Sequence, residues 1–545
     1  MAKPLGTSVA ITRVLAWTIP PVFLLVFFFY PVATLLVTGL ASTEGIVAAT
    51  NALASPAVLG VIWFTIWQAT LSTLCVLAVA LPGAWVLARF RFHGRGLIEA
   101  LSVVAFVMPT VVVATAISAT LASDGPLGMW LPDGANRGLG AILLAHVYFN
   151  VAVVLRMVSS YWAQLDPRVE QVAATLGASP RQVFTQITLP RLRPVILASS
   201  SIVFLFTFTS FGIVLLLGNP GQATIEVEIQ RQVLFLFNLP VGAVLSVVQM
   251  AIVAVILIVQ TRLADRITGA GANRALRPPV TTGQRIGVGA FISLGLALFA
   301  GPVLLVVSRA FQSGTGFGLG NFQSLTTARE DSVLFVPPVE AVVNSLTYAA
   351  AAALIALAVG GLASVVIAGR VRAAGTWEGI WLLPMGVSAV TLGFGILIAF
   401  DSPPLNWRGS AVMVPIAQAL VALPFVVRAL VPAIRAVNPR VRQAAAALGA
   451  SPARVIWHIE LPLIGRSVVV ATGFAFAISL GEFGATVFVA RGDYPTVPIA
   501  IYRLMGTPGT ANQGQAMALA TILIVLTATV ILLTDRWRLP GERHV

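Results

Sequence analysis

Apolar runs of about twenty residues, cut by short polar stretches, pattern this chain from end to end. A hydrocarbon layer about 30 Å thick takes roughly 20 residues of helix. On that rule the runs predict helices over 14–40, 58–88, 97–121, 139–163, 195–218 and 240–262. The pattern then starts again, predicting 286–309, 342–369, 376–400, 411–434, 467–490 and 512–534. The fold class expected is all-α, a polytopic membrane protein of about 12 helices. Pro21, Pro82, Pro109 and Pro384 fall inside the runs, where buried backbone tolerates kinks.

Composition agrees. Hydrophobic residues make up 58% of the chain and charged residues 10%, whereas soluble domains carry about 25% charged residues. The formal charge of +14 is almost all arginine, Lys3 being the only lysine. A basic balance can mean nucleic acid, but these arginines sit between apolar runs, where the positive-inside rule explains them. One side collects Lys3, Arg13, Arg89, Arg91, Arg95, Arg168, Arg181, Arg191, Arg193, Arg262, Arg266, Arg274, Arg277, Arg285, Arg370, Arg372, the group from Arg435 to Arg466, Arg536, Arg538 and Arg543. The other has only Arg137, Arg231, Arg309, Arg329, Arg408, Arg491 and Arg503. Both termini are therefore expected in the cytoplasm. Cys75 is the one cysteine, which excludes an intrachain disulfide. The first apolar run is too long for a signal peptide's core, and no small-residue cleavage site follows it.

The second half repeats the first. Gly177 and Gly449 lie 272 positions apart, and at the same offset Arg156 matches Arg428, Phe211-Gly212 matches Phe483-Gly484, and Thr224 matches Thr496. The expected organisation is a first transmembrane domain over 1–262, a cytoplasmic linker over 263–285 and a second transmembrane domain over 286–545, related by a pseudo-two-fold axis.

One polar stretch recurs at the same place in each half, over about 164–193 and 436–465. It reads as helix, break, helix. Pro167 suits a helix start, and Gly177 can take a left-handed conformation. Ser179-Pro180 followed by Gln182 gives a capping box and a proline at the first helical position. Pro190 disfavours helix just before itself, so the second helix is expected to end near Thr188. The second copy keeps Gly449, Ser451, Pro452 and Pro462 but has Arg454 where the box needs Gln. Phe184 and Ile187, with Ile456 and Ile459, put an apolar stripe on each second helix. An amphipathic helix resting on the bilayer explains one such stripe; two matched copies with stiff elbows favour sockets for a dimeric protein partner.

The spacing of Gln171, Ala173, Gly177, Ile187 and Pro190, repeated in Gln443, Ala445, Gly449, Ile459 and Pro462, resembles the E-A-A-x3-G-x9-I-x-L-P signature of binding-protein-dependent ABC import permeases. Gln171 and Gln443 depart from the family's glutamate, and Val172 from its alanine. The resemblance covers nearly the whole chain and implies two type I importer domains, with each loop docking on one of two copies of a cytoplasmic ATPase. It also implies an extracytoplasmic solute-binding protein as partner. The chain has no P-loop, because its only lysine is Lys3. It is expected to be no enzyme and to hold no cofactor or metal, ATP-Mg being bound by the partner. Fused permeases of this kind are similar to thiamine and ferric-iron importers.

Polar residues within the runs are the candidates for the translocation pathway, since they are costly in lipid. Glu482 is an acid in one half only, suited to a cationic solute, and its repeat mate is Ser210. His146 and Asn150 lie one turn apart on one helix face. Arg231 and Arg503 occupy equivalent outer positions. Each has a structural alternative: a helix-to-helix hydrogen bond for the first four, and an interfacial arginine for the last two. The competing function is an ion-gradient-driven secondary transporter built from two parallel repeats, which would need a coupling-ion site near the midplane.

Overall fold

A computed structural model describes residues 17–41, 43–264, 276–313, 316–328, 332–369, 374–401, 403 and 405–536. Lys3, Arg13, Arg266, Arg274, Arg329, Arg370, Arg372, Arg538, Arg543 and the middle of the expected linker lie outside the described residues. The first half comprises α1 (Trp17–Ala41), α2 (Thr43–Ala54), α3 (Pro56–Arg89), α4 (Arg95–Val107), α5 (Thr110–Leu121), α6 (Leu139–Ala163), α7 (Pro167–Thr175), α8 (Pro180–Phe208), α9 (Gly212–Leu217), α10 (Ile225–Gln230) and α11 (Leu239–Ala264). The second half comprises α12 (Thr282–Ala310), α13 (Pro338–Ala368), α14 (Ala374–Leu382), α15 (Ala389–Ala399), α16 (Met413–Ala436), α17 (Pro439–Ala447), α18 (452–481), α19 (Thr486–Val489), α20 (Val497–Met505) and α21 (Thr510–Asp535). Ten of these helices are long and apolar enough to cross a membrane. The protein is an all-α polytopic membrane protein.

Four of the runs do not form straight spans. The run 97–121 turns by 111° between α4 and α5, and 376–400 turns by 94° before α15. Pro109 forces Met108 into an extended conformation (ψ 140°). In the other half Val387 is extended, and Ser388 restarts the helix by accepting from Thr391 N at 3.1 Å. The runs 195–218 and 467–490 break at Thr209–Phe211 and at Glu482–Ala485, repeat mates of one another. Pro190 does not end its helix as expected. A π-helical turn over Val183–Thr188 runs directly into the long helix that begins at Leu189, and Ile456–Glu460 does the same in the second copy. Pro190 falls just past this turn, in the first residues of the helix that follows, where its missing N–H is tolerated.

Each half is built on a close helix pair. In the second, Ala352, Ala356, Gly360 and Ser364 form a small-residue stripe on α13 that lets α16 approach. A Cβ on Gly360 would lie 3.1 Å from Val426 Cγ1. The first helix of each half crosses to the other half. Phe27 and Tyr30 of α1 pack on Phe400 beyond α15, with centroids 5.7 and 5.9 Å apart. Reciprocally, Phe299 of α12 meets Tyr148 of α6 at 6.3 Å, and Arg309 pairs with Asp124 at 3.0 Å. The segment entering α12 is pinned where α3 ends, with Arg91 N donating to Arg277 O at 2.9 Å and Arg277 N to Arg89 O at 3.1 Å.

Candidate functional site

The two recurrent loops form matched elbows. In the first, Asp166 caps α7 by accepting from Arg168 N at 2.9 Å. Gly177 sits at φ +90°, and the helix closes with Gly177 N donating to Ala174 O and Ala178 N to Ala173 O, at 3.1 and 3.0 Å. This is a Schellman closure, which favours glycine. Ser179 and Gln182 then form the expected capping box. The second loop repeats this: Asn438 caps, Gly449 has φ +80°, and Gly449 N and Ala450 N donate to Ala446 O and Ala445 O, both at 3.0 Å. Its box is half complete, Ser451 Oγ accepting from Arg454 N at 3.3 Å. Gln171, Gln443, Ser179, Ser451, Pro180 and Phe184 are exposed, while Ala173, Ile187, Pro190 and Ile459 are half-buried; Pro462 is exposed and Ala445 buried. The side chains of Pro452 and Ile456 lie outside the described residues.

The tie between the two helices of each loop uses the same two positions with different chemistry. In the first loop Thr188 Oγ1 donates to Glu170 Oε1 at 2.9 Å, and Arg89 from the end of α3 pairs with Glu170 at 3.1 Å. The Arg89 guanidinium also lies 5.9 Å from the ring centres of both Trp85 and Trp162. In the second loop the repeat mates are Arg442 and Glu460, which pair directly.

At the other end of these long helices the halves meet. Phe211 stacks on its own repeat mate Phe483, with centroids 5.3 Å apart and planes 24° apart, and Tyr502 packs on Phe483 at 5.5 Å. Behind Phe211, His146 bridges α3 to the break, with Nδ1 2.8 Å from Ser72 Oγ and Nε2 2.8 Å from Ser210 Oγ. Asn150 donates to His146 O at 3.0 Å, and Gln68 to Thr207 O at 2.8 Å. The Glu482 carboxylate is taken up by its own half, accepting from Ala485 N at 2.7 Å, Thr486 N at 2.9 Å and the Thr486 hydroxyl. It satisfies two of the free backbone amides at the start of α19. Arg231 is exposed and paired with Glu228 at 3.4 Å; Arg503 is half-buried with one guanidinium nitrogen unpartnered. At the end opposite the loops, a cavity of about 530 Å³ is lined by Leu234, Leu397, Asp401, Asn406, Arg408 and Arg491 among others.

The family described as "Binding-protein-dependent transport system inner membrane component" matches twice, over residues 80–269 and 356–538. The chain belongs to this family. Each matched segment contains one elbow loop. Among its relatives, the thiamine transport system permease protein ThiP of Brucella abortus is 28% identical, with 87% of this chain and 86% of that protein aligned. The protein of the same name in Escherichia coli K12 is 26% identical over 88% and 89%. A probable ABC transporter permease, y4fN of Sinorhizobium fredii, is 28% identical over 87% of each.

The elbows of this permease carry two residues that the sequence reading passed over. Leu176 is 83% exposed and its mate Leu448 is 89% exposed, each just before its glycine. The same apolar side chain thus stands open to solvent at the tip of each loop. Exact recurrence at the offset of 272 was the available signal. Glu226 was also missed. It is buried at 2% exposure, although it lies outside the apolar runs.

Proposed function

We propose that the chain is the membrane subunit of an ATP-driven importer, carrying a small solute across the cytoplasmic membrane. The pair of elbows carries this reading: two loops of one geometry, each ending in an exposed leucine beside a left-handed glycine, suit two identical soluble subunits. Those subunits are ABC ATPases that bind ATP-Mg and hydrolyse it, while this chain performs no hydrolysis. The arginine bias puts the loops and both termini in the cytoplasm. The opposite end then receives solute from an extracytoplasmic binding protein. The names of the aligned relatives favour thiamine over ferric iron as that solute.

The test is reconstitution of the chain with its ATPase and binding protein in vesicles. Thiamine uptake should require ATP and be indifferent to proton or sodium gradients. Uptake driven by a gradient without the ATPase overturns the proposal in favour of a secondary transporter.

A further inference from the structure

Helix α15 runs along the seam between the halves, with nine of its eleven residues buried. Near its C-terminal end Leu397 lines the cavity opposite the loops. Just before its N-terminus, about 14 Å away at 1.5 Å per residue, Ser388 of the second half meets Glu226 of the first. The Glu226 carboxylate accepts from Gln249 Nε2 at 2.7 Å, with Ser388 beside it. Gln249 lies ten residues into α11, a helix of 26 residues. That places the carboxylate about 15 Å from one end of a helix about 39 Å long, close to the membrane midplane.

The surroundings of this acid differ from those of Glu482. Glu482 is satisfied by backbone amides and a hydroxyl of its own half, whereas Glu226 takes one side-chain donor, Gln249, and is flanked by Ser388 of the opposite half, so separation of the halves uncovers it. Among the described residues no cation pairs with it. Beside it, Gln249 is 1% exposed and its Oε1 is buried with no hydrogen-bond partner, leaving an acceptor unused next to the carboxylate. The repeat mate of Glu226 is Pro498 and that of Gln249 is Thr521, so the pair exists once, as one solute molecule requires. An isolated ionisable group inside a membrane is costly and points to a pathway.

The geometry points to Glu226 and Gln249 as the solute-recognition site of the pathway, taking an organic cation that carries N–H donors: the carboxylate meets the positive charge, and the free amide oxygen accepts from the N–H. Parting of the halves withdraws Ser388 and opens the carboxylate to a cation arriving along α15. This deepens the importer reading and rests on it.

The experiment compares the full chain with Glu226→Gln and Glu226→Asp, using thiamine as the probe. Two readouts are taken: uptake by the reconstituted complex, and thermal unfolding of the purified chain with and without thiamine. Glu226→Gln should unfold at or above the wild-type temperature and keep ATP hydrolysis, yet lose thiamine uptake at least about tenfold, as expected when one partner of a buried charged contact is removed. It should also lose the thiamine-induced rise in unfolding temperature, and Glu226→Asp should recover part of both. Wild-type uptake and stabilisation in Glu226→Gln overturn the inference. So does a joint fall of unfolding temperature, hydrolysis and uptake, which marks a structural hydrogen bond. If uptake by the wild type is not ATP-driven but Glu226→Gln still abolishes stabilisation by thiamine, the site stands and the importer reading falls.

Discussion

Gly177 and Gly449 allow the elbow argument to be tested with an internal control. Both have positive φ, +90° and +80°, and a Cβ added to either would meet nothing within 4 Å. Gly94 shares these properties at φ +89°, lies exposed at the same end of the bundle, and has no part in the repeated loops. Alanine at any of the three is therefore strained by its backbone alone, by about 1–2 kcal/mol. In the exposed loops the chain relieves that strain by opening the Schellman bonds, since no packing holds them shut. Docking must then restore the elbow, so the double variant Gly177→Ala with Gly449→Ala forfeits up to about 2–4 kcal/mol of ATPase affinity, roughly 30-fold to several-hundred-fold. Affinity of the detergent-solubilised chain for the ATPase, ATP-coupled uptake and thermal unfolding are the measurements. The double variant should lose affinity and coupling with little change in unfolding temperature, and Gly94→Ala should keep affinity and coupling. Equal losses in Gly94→Ala, or wild-type docking by the double variant, refute the reasoning.

Three further outcomes are expected. Leu176→Ser with Leu448→Ser should leave unfolding unchanged, because both side chains are already in solvent, while ATPase binding falls by about 1.5–3 kcal/mol per leucine buried on docking; titration of the ATPase measures it. Arg89→Met removes a charged contact to Glu170 worth about 1.5–3 kcal/mol. ATP hydrolysis should persist while uptake per ATP falls, and the first loop should become more accessible to protease than the second, whose Arg442–Glu460 tie is intact. Phe211→Leu with Phe483→Leu removes the stacked pair, about 0.5–1.5 kcal/mol beyond its buried area, and should raise ATP hydrolysis without solute and passive leak of thiamine; a tight, solute-dependent complex would count against a gating role.

What the sequence made legible was local. Caps, the capping box and the left-handed glycines depend on a few neighbouring residues, and these appear where Ser179, Pro180, Gly177 and Gly449 implied them. The bend at Pro109 was half legible: the proline was visible, but a turn of 111° depends on what the following helix packs against. The π turns were not legible, because Pro190 carries the same signal whether a helix ends or widens. Crossing of α1 and α12 to the opposite halves leaves no local trace, since an apolar helix packs as well on either half. Glu482 drew attention as an acid in an apolar run, yet there three nearby donors satisfy it. Glu226 sat in a polar stretch, where an acid is unremarkable until the fold closes over it.

The continuous helices explain how a loop in contact with one compartment controls a seam that faces another. In each half, the second helix of the elbow and the long apolar helix are one rod, joined through a π turn rather than a hinge: α8 runs from Pro180 to Phe208 and α18 over 452–481. A rod of 29 residues spans about 43 Å. Each rod ends in the break that carries one ring of the stacked pair, Phe211 or Phe483, beside Ser210 or Glu482. On the proposed importer reading, a tilt imposed at the elbows is carried along each rod toward the aromatic pair. The ties set the asymmetry. Arg89 from α3 pairs with Glu170 of the first elbow, whereas in the second Arg442 pairs with Glu460 and also donates to Ile434 O of α16.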